Sequence, residues 1–316
     1  MLTRDFDENK VYNEIPELLD ILLFDYTTKS NILWATNNYK RKGHGYYEKD
    51  LIKSTLLVGA HGRIIKPRVE KSKTEQTKRS RNNAEVFTPS WICNKQNNMI
   101  DDEWFGYKNA FNFENEDSWI PTERVIFLNK NWKEYVIEIR MEITCGEAPY
   151  ITSRYDSVTG EMIDIKSRIG FLDRKLRVVN ENAVDDSEWL SYTIKSFQSV
   201  YGYEFQGDNL LIARENILMT FIDHYEYKYN KYPDKDLLLQ IAKIISWNFW
   251  QMDGLKMVVP FSCHEEEVYQ LSLFDDVKPD FCKGCRNGNI KDHNGKRCYI
   301  MDWEKNKKVK FLELMR

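Results

Sequence analysis

An α/β protein is predicted, built on a parallel sheet with helices on both faces, and three observations carry the prediction. From Tyr135 onward, short Val/Ile-rich or aromatic segments alternate with amphipathic ones, the order that strand–helix–strand units produce. Asp208–Tyr225 is strongly periodic, with Leu210, Leu211, Ala213, Ile217, Leu218, Phe221 and Ile222 recurring at helical spacing. The chain has 316 residues, 42% hydrophobic and 30% charged, which is enough to bury a sizeable core and too apolar for a disordered chain.

Taken in order, Tyr12–Tyr26 carries a helical apolar stripe (Ile15, Leu18, Leu19, Ile21, Leu22, Leu23) opened by Asn13 and Pro16. Ile32–Ala35 is expected as a short strand, and Asp50–Leu57 as a helix or a strand. Residues 1–82 therefore form a mostly helical N-terminal segment that closes on a basic linker. In that linker, Arg63–Arg81, eight Lys and Arg side chains face only Glu70 and Glu75. Such a run is a solvated linker or helix face, or a contact for nucleic-acid phosphate. Residues 83–316 form the main unit. Tyr135–Ile143 is expected as a strand ending at Cys145–Gly146, Asp186–Val200 as a helix and Val200–Phe205 as a strand. Leu237–Ile245 is read as a helix leading into the aromatic segment Trp247–Trp250.

Composition also excludes. The longest apolar runs, such as Thr55–Ala60, are far short of the roughly 18–20 residues a bilayer span needs. Met1–Lys10 has no apolar core of a secretory signal, so a cytoplasmic protein is expected, whose six Cys are thiols or metal ligands rather than disulfides. A net charge of −3 argues against a non-specific nucleic-acid coat but leaves room for a local basic strip. The 18 Tyr, 16 Phe and 9 Trp supply core packing or a base-stacking surface.

Cys282-x-x-Cys285, with Cys263-His264 upstream and His293 and Cys298 downstream, has metal-site spacing within a Cys-rich insertion at about residues 261–298. Structural zinc needs four tetrahedral N or S ligands, and a CxxC knuckle supplies two from one tight turn. The expected set is Cys282, Cys285 and Cys298, with Cys263, His264 or His293 as the fourth; Cys263 is the first choice. A reduced-thiol loop and a redox dithiol are the other readings.

Four segments then follow one another in a recognisable order. Asn83-Ala84-Glu85-Val86-Phe87-Thr88-Pro89 precedes Glu142-Ile143-Thr144-Cys145-Gly146-Glu147-Ala148-Pro149-Tyr150; Gly202-Tyr203-Glu204 comes next, and Asn248–Leu255 last. Together they resemble the motifs of S-adenosylmethionine (SAM)-dependent amino-group DNA methyltransferases of the N6-adenine type, the modification subunits of restriction-modification systems. The resemblance covers about Asn83–Arg316 and implies a Rossmann-like SAM-binding sheet. It also implies a role in a restriction-modification or phage-defence system, with DNA as partner.

Carried over residue by residue, it assigns Phe87, Thr88 and Pro89 to the turn over the methionine end of SAM. Glu142, Cys145 and Gly146 form the cofactor loop, Glu204 accepts the two ribose hydroxyls and Asp253 bonds the adenine amine. Ala148 replaces a usual Gly, and Glu147 puts a carboxylate where a small residue is usual. The family's catalytic (N/D/S)-P-P-(Y/F/W) tetrapeptide occurs nowhere in the 316 residues. Catalysis is therefore expected to need a partner chain; an inactive scaffold relative and a truncated reading frame are the alternatives.

Overall fold

In the computed structural model, residues 6–83, 85–86, 88–267, 279–280 and 282–315 are described. The N-terminal part runs α1 (Glu8–Glu14), α2 (Pro16–Leu23), a small hairpin of β1 (Phe24–Asp25) and β2 (Ser30–Asn31), then irregular chain as far as α3 (Lys73–Asn83) and α4 (Ser90–Phe105). After a hairpin of β3 (Asn112–Asn115) and β4 (Ser118–Pro121) come α5 (Trp132–Ile137), β5 (Arg140–Glu142), α6 (Phe171–Asn182) and α7 (Asp186–Gln198). The series continues with β6 (Val200–Glu204), α8 (Gly207–Tyr229), α9 (Lys235–Asn248) and β7 (Phe249–Gln251). Last come β8 (Glu266–Glu267), β9 (Pro279–Asp280), α10 (Lys283–Asn287) and a hairpin of β10 (Tyr299–Asp302) and β11 (Lys307–Lys310). The fold is thus mixed α/β, and no described helix is long and apolar enough to cross a membrane.

Its centre is a three-stranded parallel sheet in the order β5-β6-β7, with Glu142 opposite Gly202 and Glu204 opposite Gln251. All five residues of β6 are buried, as a central parallel strand requires. Alternation along it separates two cores. Val200, with Phe249 of β7, faces Leu18, Leu22, Leu211, Leu218, Ile241 and Ile245 of helices α2, α8 and α9. Tyr201 and Tyr203, with Trp250, face Met252, Met257, Ile300 and Phe311. Helices on both faces are therefore not what is found: the second face lies under a turn and the β10–β11 hairpin.

The expected strand Tyr135–Ile143 divides into α5 and β5. Asn131 caps α5 by accepting the Lys133 N–H (2.9 Å), and Tyr135 and Val136 enter a third core with Val178, Val179 and Trp189. A short apolar run does not by its period distinguish a buried helix turn from a strand.

The N-terminal segment is part of the main core. Arg214 of α8, fully buried, donates to the carbonyls of Leu22, Ser246 and Phe249, joining α2, α8, α9 and β7. Burial lowers its guanidinium to about 10, still charged at neutral pH. The basic stretch forms no free linker, because it contains α3. This helix has no apolar face and is attached through Arg79, which pairs with Glu85 (2.6 Å) and with Asp208 at the start of α8 (2.6 Å).

Candidate functional site

Parallel strands leave their C-terminal ends free of the sheet's own chain, and there the structure opens a cavity of about 1030 Å³. Its walls include Ala35, Arg81, Thr88 before α4, Asn97 in α4, Glu142 at the end of β5 with the loop that follows, and Glu204 at the end of β6 with Phe205, Gln206 and Asn209. The loop after β5 is unusual in its backbone. Thr144 (φ 46°), Gly146 (φ 55°) and Ala148 (φ 61°) all take left-handed conformations, which cost a non-glycine residue roughly 1–2 kcal/mol. A side chain added at Gly146 would meet no atom within 4 Å, so the space beside that turn is open.

Glu204 closes the turn. Its Oε2 accepts the Gly146 N–H (2.9 Å) and its Oε1 the Gln206 N–H (3.0 Å). Burial raises its carboxyl above the usual range, and the backbone N–H groups of Gln206 and Gly146 counter part of that rise. Burial also raises Glu142, against backbone hydrogen bonding from Tyr150 and Ile151. Its Oε2 is shut off from solvent with no hydrogen-bond partner among the described residues.

A native carboxyl whose ionised form is disfavoured contributes stability below its unfolded pKa and loses it as pH rises through the folded value. Glu142→Gln is accordingly expected to be more stable than the wild type at pH 8. The gap should close as the pH falls toward 4. Urea unfolding at both pH values measures this, and equal stability at pH 8 would contradict the burden assigned to Glu142.

Of the sequence-expected cofactor residues, Thr88, Glu142, Cys145, Gly146 and Glu204 line this one cavity. Pro89 stands just outside, at the start of α4 with an extended backbone, and Phe87 lies outside the described residues. Asp253 is a correction: its Oδ1 accepts the N–H of Leu255 (3.1 Å) and Lys256 (3.2 Å), and its Oδ2 pairs with Lys256 (3.3 Å). It holds a turn and is absent from the cavity wall. The Cys145 side chain is buried beneath Gly202, and burial pushes its thiol well up, so it is a packing residue and no nucleophile.

Glu147 has a structural partner set, accepting the Arg68 N–H (2.6 Å) and the Tyr155 hydroxyl (3.0 Å), which explains a carboxylate in the loop. Gln206 and Asn209 line the cavity without having been singled out. Their signal was the Phe205-Gln206-Gly207-Asp208-Asn209 junction, where Gly207 is obligatory because a Cβ would lie 1.9 Å from the Leu33 carbonyl oxygen.

The second candidate site is a group of four donors that can hold a metal ion: Cys263, Cys282, Cys285 and His293, with their ligand atoms all within 4.8 Å of one another. The Nδ1 of His293 is 3.6, 3.5 and 3.6 Å from the three sulfurs in that order. Cys282 caps α10, its Sγ accepting the Cys285 N–H (3.3 Å). Two glycines let the loops meet, since a Cβ on Gly284 would lie 2.5 Å from the His293 nitrogen and one on Gly295 3.0 Å from the Cys263 sulfur.

Burial opposes ionisation of Cys282, yet backbone hydrogen bonds from Cys285 and Asn294 outweigh it and bring the thiol down to about 6. With that thiolate formed first, Cys285 is raised by its hydrogen bond to it; Cys263, raised first by burial, reaches about 12. Cys298 is a correction. It is buried in the second core with its Sγ against the Gln251 carbonyl (3.5 Å), and His293 takes the place expected for it. His264 is also outside the group, its backbone exchanging hydrogen bonds with the Asn294 side chain.

These two sites define the molecule as a mixed α/β protein with an acidic, turn-lined cavity at the sheet's C-terminal edge and a separate Cys3His group. No protein-family model matches the chain, and no curated protein or solved structure matches it either.

Proposed function

We propose that this chain is a SAM-binding, Rossmann-like subunit of a DNA adenine-N6 methyltransferase. The observation that carries the reading is convergence: five residues nominated by three separate sequence motifs line a single cavity. The strands bearing the first, second and third strand motifs also lie side by side in chain order, as in one half of a doubly wound sheet. The cavity's polar groups suit the cofactor's. The Glu204 carboxylate suits the vicinal ribose hydroxyls, and the Thr88 hydroxyl suits the carboxylate of the methionine moiety. Bound SAM would supply the electrophilic methyl group; this chain's residues orient the cofactor and exclude water.

The Pro-Pro tetrapeptide that would hold the target amine is assigned to a partner subunit, since these 316 residues contain none. Such a partner has a place to join the sheet, because β5 pairs on one side only among the described residues.

Calorimetry with SAM tests the reading. Binding is expected for the wild type, and Glu204→Ala is expected to weaken it by roughly 100-fold, two charged hydrogen bonds at about 1.5 kcal/mol each. No binding by the wild type at millimolar SAM, with or without DNA, would overturn it. An unchanged affinity in Glu204→Ala would remove the ribose role.

The metal of the Cys3His group is proposed to be a structural zinc. Ligand distances of about 2.3 Å to sulfur and 2.0–2.1 Å to nitrogen, at the tetrahedral angle, separate S and N by about 3.5–3.6 Å. The three spacings found, 3.5 to 3.6 Å, equal that edge. Four protein donors close the coordination sphere and leave no open position for a reacting water.

A further inference from the structure

We infer that a second cavity, adjoining the first, is a docking groove for a single-stranded stretch of DNA. The groove has a volume of about 830 Å³ and shares Ala35 and Phe205 with the cofactor cavity, so the two adjoin near the end of β6. Its chemistry differs from that of the first. Lys40 and Arg41, on a short 3-10 turn, and Lys78, on α3, line it; all three are exposed, and none enters an ion pair among the described residues. Two partly buried carboxylates, Glu48 and Glu75, also line it, and Glu48 is engaged by the Asn37 amide (2.5 Å).

The same groove is lined by an aromatic pair, Phe205 and Phe261, edge to face at 5.7 Å, with the Lys49 ammonium 5.8 Å from the Phe261 ring centre. Phe261 is 42% exposed and holds a left-handed backbone (φ 59°), an expensive way to keep a large apolar ring in solvent. It stands two residues before Cys263, so the metal group anchors the chain that presents it.

Exposed cations beside a rigidly presented aromatic ring match the two components of a polynucleotide strand. Phosphates meet the cations, and a base stacks on the ring. The placement also accounts for α3. A helix without an apolar face is held by the buried Arg79 and by hydrogen bonds from Gln76 and Ser80, and it places Lys78 at the groove. The identification of the strand as DNA rests on the methyl-transfer reading; the groove's chemistry does not.

Fluorescence anisotropy of a short labelled single-stranded oligonucleotide, titrated with the full chain at several salt concentrations, is the test. Lys40→Glu/Arg41→Glu/Lys78→Glu is expected to weaken binding at least about tenfold and to flatten the salt slope by roughly 2, three contacts at about 0.7 each. Phe261→Ala is expected to lose roughly five- to hundredfold and Phe261→Tyr to retain wild-type affinity. SAM calorimetry on the triple variant should match the wild type, which separates failure of the groove from failure of the cofactor reading. The inference is overturned if the wild type does not bind the oligonucleotide, or if the triple variant binds it with unchanged salt slope. Displacement by polyglutamate at equal charge, which would assign the groove to an acidic peptide, overturns it as well.

Discussion

His293→Ala is expected to release the bound metal, and Cys298→Ala to retain it at one ion per chain. The contrast follows from geometry. His293 presents its ring nitrogen to all three sulfurs, whereas the Cys298 sulfur points at the Gln251 carbonyl within the second core. Outer-shell changes alone cost zinc sites about 10–100-fold in affinity, and loss of a ligand should exceed that. The effect extends beyond metal content, because the group joins the 262–264 loop to α10 and to the Gly295 turn. Metal analysis after dialysis, paired with thermal unfolding in the presence and absence of a chelator, reads both consequences. Uptake by the apo chain should also release protons, since Cys263 and Cys285 are held above their ordinary range until a metal ionises them. A metal content near zero in the wild type, or metal retained by His293→Ala and lost by Cys298→Ala, would refute the assignment.

Asp208→Ala is expected to destabilise the fold by about 3–5 kcal/mol, the cost of leaving a buried partner charge uncompensated. Asp208 is fully buried in the first turn of α8, where it receives Arg79 (2.6 Å) and the Tyr39 hydroxyl (2.9 Å). Burial raises its carboxyl, but the charges of Arg79 and Lys71 and the hydrogen bonds from Arg79 and Tyr39 together outweigh burial and hold it below the usual range. A depressed native pKa gives stability that is present above the unfolded value of about 3.9 and is lost as pH falls through the native one. The wild-type advantage over Asp208→Ala should therefore be full at pH 7 and shrink in strong acid, measured by urea unfolding across pH. Arg79→Met/Glu85→Gln/Asp208→Leu should recover much of the loss, because replacing all three members leaves no orphaned charge. Oligonucleotide binding should not recover with it, since α3 would lack the anchor that places Lys78.

How far the sequence could be read depended on whether a feature is local. The helices Asp186–Gln198 and Lys235–Asn248 and the long α8 were legible because apolar residues recur at helical spacing within one element, although α8 is buried on nearly every side along its first three turns. The strand Val200–Glu204 was legible from its apolar run between two turns. Tyr135–Ile143 was misread because six or so apolar-rich residues carry too few turns to reveal a period, and the Asn131 cap decided for a helix. The covering of the second sheet face was not legible at all, since the hairpin that supplies it lies about 100 residues further along the chain, where Tyr201 bonds the Met301 carbonyl.

The candidate sites divide along the same line. Glu142, Gly146 and Glu204 could be named because strand-end turns carry their own signature of acid and glycine. Asp253 could be named by the same logic, yet it lies outside the cavity those three line, its carboxylate spent on its own turn. Only the structure separates those two cases, for it alone shows where a side chain points. Arg79 looked like one cation among eight in a basic run. Its burial depends on two carboxylates, one of them 129 residues away.

What the chain determined by itself, then, was the alternation of elements, the acidic strand ends and the CxxC knuckle, all properties of short stretches with local physical causes. Tertiary structure decided which strand-end acids share a cavity, which of six cysteines gather round a histidine and which face of the sheet is covered by what. Those outcomes depend on residues far apart in sequence being brought within a few ångströms, and side-chain period carries no information about such distances.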